Sequence, residues 1–252
     1  PSTWGTEKQL QSAIVIIDQS TGNVVALSGG VGEKEGSLIS SRAMDTTRPL
    51  GSSVKPLAVY GPALELGLIT PDTVYEDSEK VRLKGTDWMP KNDSRTYSGY
   101  VTIREAVMRS LNVIAAQVLD QVTTKVSYEF MVDRYHFTTL EPVDMDYAPL
   151  SMGQFTYGVN VREVATAYSV YANGGLYTKS RTFTKILDSS EQVLYESKQE
   201  SEVAVSEKTA YWMTNILQDA VRAGTGTEAR LSNMPVAGKT GTTSDKFDRW
   251  FC

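Results

Sequence analysis

Apolar positions along the chain follow two rhythms. Ala13-Ile14-Val15-Ile16-Ile17 is an unbroken apolar run, polar residues occupy 18–23, and Val24-Val25-Ala26-Leu27 follows. Two such runs flanking turn residues predict a β-hairpin, and a first strand apolar on both faces predicts deep burial for it. Residues 184–187 and 192–195, around Asp188-Ser189-Ser190-Glu191, predict a second hairpin. A polar, Gly-bearing loop over 29–47 leads to a helical stretch from 53 to about 66, which Gly67 stops. Pro56 falls in the first turn, where N–H groups are unpaired anyway, but Pro62 removes an interior hydrogen bond and predicts a kink.

Further on, Thr102 and Glu105 make a capping box for a short helix running into Ser110, and another helix is predicted over 113–122. Val161, Val164, Ala165, Tyr168 and Ala172 keep a helical period ahead of Gly174-Gly175, and Ser206 caps a helix closed by Gly224. Val236 to Thr242 reads as a strand entering a turn at Ser244-Asp245. This order predicts a mixed sheet with segregated helices: a mainly helical lobe over about 52–175, and a sheet-bearing lobe from 1–51 and about 176–252.

Composition narrows the function classes. The 252 residues are 40% hydrophobic and 22% charged, enough for a sizeable core. A net charge of -5 offers no basic field for nucleic acid, and no apolar stretch approaches the roughly 18 residues of a membrane span. The single cysteine, Cys252, excludes an internal disulfide framework. There is no His/Cys/carboxylate cluster for a metal, and the Gly-rich segments at 29–32 and 224–226 lack the lysine of a phosphate loop, so no cofactor is expected.

The chemistry is carried by three short motifs. Ser52-Ser53-Val54-Lys55 opens the helical run after Pro49-Leu50-Gly51, Ser110-Leu111-Asn112 follows 58 residues after Ser52, and Lys239-Thr240-Gly241-Thr242 begins 129 residues after Ser110. A Ser and a Lys three apart share one helical face, giving a nucleophile and a base within reach of each other. S-x-x-K alone is an ordinary helix surface and S-x-N an ordinary loop satisfying helix ends; the ordered conjunction points to acyl transfer through a serine ester. A lysine of ordinary pKa, about 10.4, needs a depression of roughly three units to act as a base near neutrality. A second cation and partial burial supply one.

With their flanks, these motifs resemble the transpeptidase domain of class A, bifunctional, penicillin-binding proteins. The flanks are the run Asp18 to Leu27, Arg48-Pro49-Leu50-Gly51, Tyr100-Val101-Thr102-Ile103-Arg104-Glu105-Ala106, and Ala165-Thr166-Ala167-Tyr168 through Asn173-Gly174-Gly175. The resemblance implies an α/β (α+β) fold of the serine β-lactamase/transpeptidase type, a mainly antiparallel sheet flanked by helices plus a helical lobe. It also implies that the strand begun at Asp248-Arg249-Trp250-Phe251-Cys252, a further strand and a closing helix lie in a C-terminal segment beyond this chain. An anchor and a glycosyltransferase domain would precede Pro1.

The same resemblance assigns roles. Ser52 is the nucleophile, Lys55 the base, Ser110 the proton relay and Lys239 the cation beside Lys55. Asn112 holds the substrate amide and Lys55, Thr240 and Thr242 take the terminal carboxylate, and Gly241 admits the substrate backbone. The N–H groups of Ser52 and Thr242 form the oxyanion hole. The implied substrates are D-alanyl-D-alanine stem peptides of peptidoglycan and an acceptor amine, with β-lactams as acylating inhibitors, on the extracytoplasmic face of a bacterial membrane.

Rival readings remain. A class A β-lactamase needs a glutamate in E-x-x-L-N, but Met108 stands at that place before Leu111-Asn112. A β-lactam sensor keeps the nucleophile, and the flanks favour a synthase over it. A Ser-His-Asp hydrolase is disfavoured because the only histidine, His136, sits in the aromatic Tyr135-His136-Phe137 context of a structural residue and Ser52 lacks a G-x-S-x-G elbow. Asn92-Asp93-Ser94 matches a glycosylation sequon and reads as chance.

Overall fold

The computed structural model describes residues 10–34, 36–83 and 85–252. The first hairpin pairs β1 (Ile14–Asp18) with β2 (Asn23–Ser28), the register running from Ile14 opposite Ser28 to Asp18 opposite Asn23. Gly22, at φ +68°, closes the turn: a Cβ there would meet the Lys179 carbonyl at 2.7 Å. Deep burial of β1 is not observed. Ile14 and Ile16 are 52% and 47% exposed, while Val15 and Ile17, on the other face, are half-buried where a later helix packs. The strand is covered on one side only, and an all-apolar sequence cannot reveal which side.

The stretch that opens with Ser52 is helical in three different gauges. Gly51–Val54 forms a 3-10 turn, Pro56–Tyr60 a wider turn closed by Gly61 N–H on the Pro56 carbonyl, and α1 (Gly61–Glu65) follows. Pro62 therefore enters at the start of α1 rather than kinking a continuous helix. Its absent N–H leaves the Ala58 carbonyl to accept from Ser127 Oγ at 2.5 Å, while the Pro56 carbonyl takes a second hydrogen bond from Tyr171 Oη at 2.7 Å.

A ladder of β3 (Val74–Asp77) and β4 (Gly99–Thr102) leads into α2 (Ile103–Arg109), whose N-cap Thr102 accepts from Glu105 N–H, one half of the predicted capping box, while the Glu105 carboxylate pairs with Arg109. Then come α3 (Asn112–Val122), α4 (Thr124–Glu129), α5 (Tyr147–Met152) and α6 (Val161–Ala172), which packs on β1. After α6, β5 (Leu176–Thr178) pairs with β8 (Ser201–Val203), and between them β6 (Lys185–Leu187) and β7 (Val193–Glu196) form the second predicted hairpin. Last are α7 (Glu207–Ala223), capped by Ser206 as expected, β9 (Thr240–Thr242) and β10 (Arg249–Phe251).

The named strand pairs are all antiparallel, as the fold class requires, but among the described residues they form five two-stranded ladders rather than one joined sheet. The core joins the face of α3, on which Ile114, Val118 and Leu119 are buried, to Leu50, Val54 and Leu57 of the Ser52 segment and to Met213 and Ile216 of α7. Burial of these side chains, each contributing about 1.5–3 kcal/mol, fixes the segment that carries Ser52 against the middle of the molecule.

Candidate active site

The three motifs converge. The Ser52 turn is pressed between two other backbones so closely that side chains are excluded. A Cβ on Gly51, at φ +56°, would meet the Thr242 carbonyl oxygen at 2.4 Å, and one on Gly241 would meet the Leu50 carbonyl at 2.4 Å. On the far side, a Cβ on Gly153 would meet the Gly51 carbonyl at 2.2 Å. Glycine is thus used here for approach of chain to chain.

Side chains from distant elements hold this turn. Tyr168 Oη of α6 donates to the Ser53 carbonyl at 2.6 Å, and Trp250 Nε1 of β10 donates to the Pro49 carbonyl at 2.9 Å. Ser53 Oγ, buried, donates to the Leu50 carbonyl at 2.7 Å. Burial holds the Tyr168 phenol well above its ordinary pKa, so it stays a donor. Neither Tyr168 nor Trp250 stood out in the sequence as a site residue, since an aromatic at helical or strand spacing reads as core.

Lys55 and Lys239 are both fully buried. Lys55 Nζ donates to Asn112 Oδ1 at 2.6 Å, to the Ser110 carbonyl at 2.9 Å and to Ser110 Oγ at 3.4 Å. Lys239 Nζ donates to Ser110 Oγ at 2.8 Å and to the Thr240 carbonyl at 3.0 Å. Ser110, at φ +59° where α2 ends, presents both its hydroxyl and its carbonyl to this centre. The hydrogen-bonded neighbours of the Lys55 amine are thus Ser110 and Asn112; the Ser52 hydroxyl, one turn away and half-buried, is not among them.

Burial pushes the Lys55 amine well below the ordinary lysine range, and the nearby charge of Lys239 pushes it further; Asp93 opposes. Burial likewise brings Lys239 down to about 7, with Cys252 opposing. Both amines are therefore easier to deprotonate than an ordinary lysine. Cys252 lies directly across from Lys239, exchanging both backbone hydrogen bonds with it at 2.8 and 3.1 Å, and burial pushes its thiol up to about 12.

That pairing also fixes the side of β9 on which the Thr242 N–H lies. Antiparallel ladders alternate bonded and non-bonded pairs. With Lys239 and Cys252 bonded, Gly241 and Trp250 form the next bonded pair, and Thr240 and Thr242 turn their N–H groups away from β10; the Thr242 backbone lies against Gly51. The hydroxyl of Thr240 is engaged with that of Thr225, 2.6 Å away in the loop after α7. Gln154, beyond α5, reaches Ser244 after β9 with a side-chain hydrogen bond.

Other sequence candidates lie elsewhere. His136 is hydrogen-bonded to Glu202 and set against Tyr177, ring centroids 4.6 Å apart, beside a cavity of about 520 Å³ that none of the motif residues lines. Asn92 of the sequon is 2% exposed, and its amide is spent inside the protein. Among the described residues no group of three or more His, Cys, Asp or Glu side chains could hold a metal, and no helix is long and apolar enough to cross a membrane.

A family model described as the penicillin-binding protein transpeptidase domain matches residues 12–248. Penicillin-binding protein 1A of Clostridium acetobutylicum is 35% identical over 253 residues, covering 97% of this chain and 31% of that protein. The crystal structure of penicillin-binding protein 1A from Haemophilus influenzae superposes with a TM-score of 0.82 at 23% identity, over 96% of this chain and 41% of the other. Penicillin-binding protein A from Mycobacterium tuberculosis, as an imipenem acyl-enzyme complex, gives 0.77 at 20% identity over 96% of this chain and 64% of the other. The chain thus spans about a third of the first relative's length, and on the extent of the family match it belongs to the penicillin-binding protein transpeptidase domain family.

Proposed function

We propose that this chain carries a serine D,D-transpeptidase centre that crosslinks peptidoglycan stem peptides and is acylated by β-lactams. The observation that carries the reading is the Ser110 hydroxyl shared by two buried amines, one of them Lys55, a single turn from Ser52.

Neutral Lys55 takes the Ser52 proton as Oγ attacks the carbonyl of the penultimate D-alanine. The N–H groups of Ser52 and Thr242 hold the oxyanion, where one donor contributes about 3 kcal/mol. The C–N bond then breaks, the proton passes through Ser110 Oγ to the leaving nitrogen, and D-alanine departs. The amine of a neighbouring stem peptide attacks the ester, its proton returns along the same path, and Ser52 is freed with a new amide formed. Lys239, Thr240 and Thr242 hold the donor's terminal carboxylate, with Gly241 admitting its backbone. Asn112 keeps Lys55 in place, its own Nδ2 occupied by the Lys91 carbonyl at 3.0 Å until substrate arrives.

For a whole protein built like the relatives, we propose a membrane anchor and a glycosyltransferase domain upstream, and a C-terminal segment completing this domain, with the site on the extracytoplasmic face. A β-lactamase would use the same acylation but needs a carboxylate to activate the deacylating water, and Met108 occupies that glutamate's place in the sequence.

The test is peptide mapping of the intact protein after exposure to a penicillin. The expected adduct lies on the peptide containing Ser52 and is lost in Ser52→Ala; an adduct on another residue, or labelling that persists in the variant, defeats the reading.

A further inference from the structure

Helix α3 lacks a cap of its own. The residue before it is Leu111, whose side chain offers no oxygen to the first N–H groups of the helix. Those groups are satisfied from a loop twenty residues upstream: Asn92 Oδ1 accepts from Asn112 N–H at 2.9 Å and from Val113 N–H at 3.2 Å. On its other side, Asn92 Nδ2 donates to Asp77 Oδ1 at 2.7 Å and to the Thr96 carbonyl at 3.0 Å. Asp77 is 1% exposed, accepts from Ser98 N–H at 2.9 Å through its second oxygen, and forms no ion pair among the described residues.

A carboxylate only accepts, so Asp77 dictates which way the Asn92 amide faces, nitrogen toward itself and oxygen toward α3. The neighbouring Lys91 carbonyl takes Asn112 Nδ2, which leaves Asn112 Oδ1 turned to the Lys55 amine at 2.6 Å. A line of contacts, buried at Asp77 and Asn92 and partly buried at Asn112, thus runs from Asp77 through Asn92 to the Asn112 backbone N–H, and from the Asn112 side chain to Lys55. An aspartate or serine at position 111 would cap the helix equally well; what the distant amide adds is a fixed donor and acceptor sense next to the amine.

We propose that Asn92, oriented by Asp77, is a positioning residue for acylation: it fixes Asn112 and through it the Lys55 amine. This rests on the reading of Lys55 as the base.

The experiment measures acylation of the intact protein by a fluorescent penicillin, separating the first-order acylation constant from the affinity of the preceding complex, with Tm recorded alongside. Asn92→Ala is expected to lower the first-order constant at least tenfold and Asp77→Asn at least fivefold, with affinity changing less than threefold in each. The reversed pair, Asp77→Asn with Asn92→Asp, keeps an oxygen toward α3 and a donor–acceptor contact between the two side chains. It is expected to acylate within twofold of the wild type. Single variants that acylate within twofold of wild type at unchanged affinity would overturn the proposal, as would a reversed pair that fails to recover the rate, whether or not Tm recovers. Ser52→Ala in the same series separates the two ideas: labelling that survives it defeats the nucleophile assignment, whereas Ser52-dependent labelling with insensitive Asn92 variants defeats this inference alone.

Discussion

Lys55 and Lys239 direct their amines at one oxygen, Ser110 Oγ, from 3.4 and 2.8 Å. Burial lowers both amines, the charge of Lys239 lowers Lys55 further, and Lys239 gives up its proton at about 7.

This predicts a specific pH dependence of binding. Lys239 is cationic below about 7 and neutral above it. The affinity of a carboxylate-bearing penicillin, before acylation, is expected to weaken as pH rises through that value, while its methyl ester shows no such trend. Stopped-flow measurement across pH 6 to 9 checks it, and parallel profiles for acid and ester would refute it.

Stability should move the other way. Lys239 in the folded chain titrates near 7 against 10.5 for the free side chain, so between those values the unfolded chain holds more protons and stability rises with pH. Below about 7 both states are protonated and the burial penalty, on the order of 5 kcal/mol, is at its fullest. Lys239→Met is therefore expected to raise Tm most at pH 6, with the advantage over wild type shrinking toward pH 10, while acylation is lost. Denaturation curves at several pH values test this; a variant less stable at pH 6 than at pH 10, relative to wild type, contradicts it.

Gly51→Ala should be damaging out of proportion to its size. The left-handed backbone costs an ordinary residue roughly 1–2 kcal/mol, and the added methyl would sit 2.4 Å from the Thr242 carbonyl oxygen. We expect a loss of about 2–4 kcal/mol in urea unfolding and at least a hundredfold fall in acylation, because relief requires β9 to retreat from Ser52.

Tyr168→Phe isolates a single contact. It leaves the Ser53 carbonyl without its 2.6 Å partner while preserving the ring's packing. The expected cost is about 1–3 kcal/mol in stability, with slower acylation and unchanged affinity. Unchanged stability would mean that the carbonyl finds another donor.

Those contacts explain which parts of the molecule could be read in advance. Helix ends written in local chemistry were legible: Thr102 with Glu105 for α2, Ser206 and Gly224 for α7, and Gly174-Gly175 after α6. The meeting of Ser52, Lys55, Ser110, Asn112 and Lys239 was legible only because three motifs occur together in one order; no one of them says that Lys55 would bond to Ser110 and Asn112 rather than to Ser52. Ser127 relieving the carbonyl freed by Pro62 joins positions 69 residues apart, and the exposed face of β1 is decided by what covers it. Neither fact is contained in a local window. Asn92 is the sharpest case, since its tripeptide carries a surface signature, Asn-Asp-Ser, yet its side chain is interior.

That burial has a practical consequence for anyone making this protein in a eukaryotic secretory pathway. Oligosaccharyl transfer acts on the nascent chain, before Asn92 is sheltered, and a sugar tree attached there could not be enclosed beside Asp77 and α3. The remedy is to disable the sequon at the exposed Ser94, whose hydroxyl meets Thr96 alone among the described residues, and to leave the asparagine untouched.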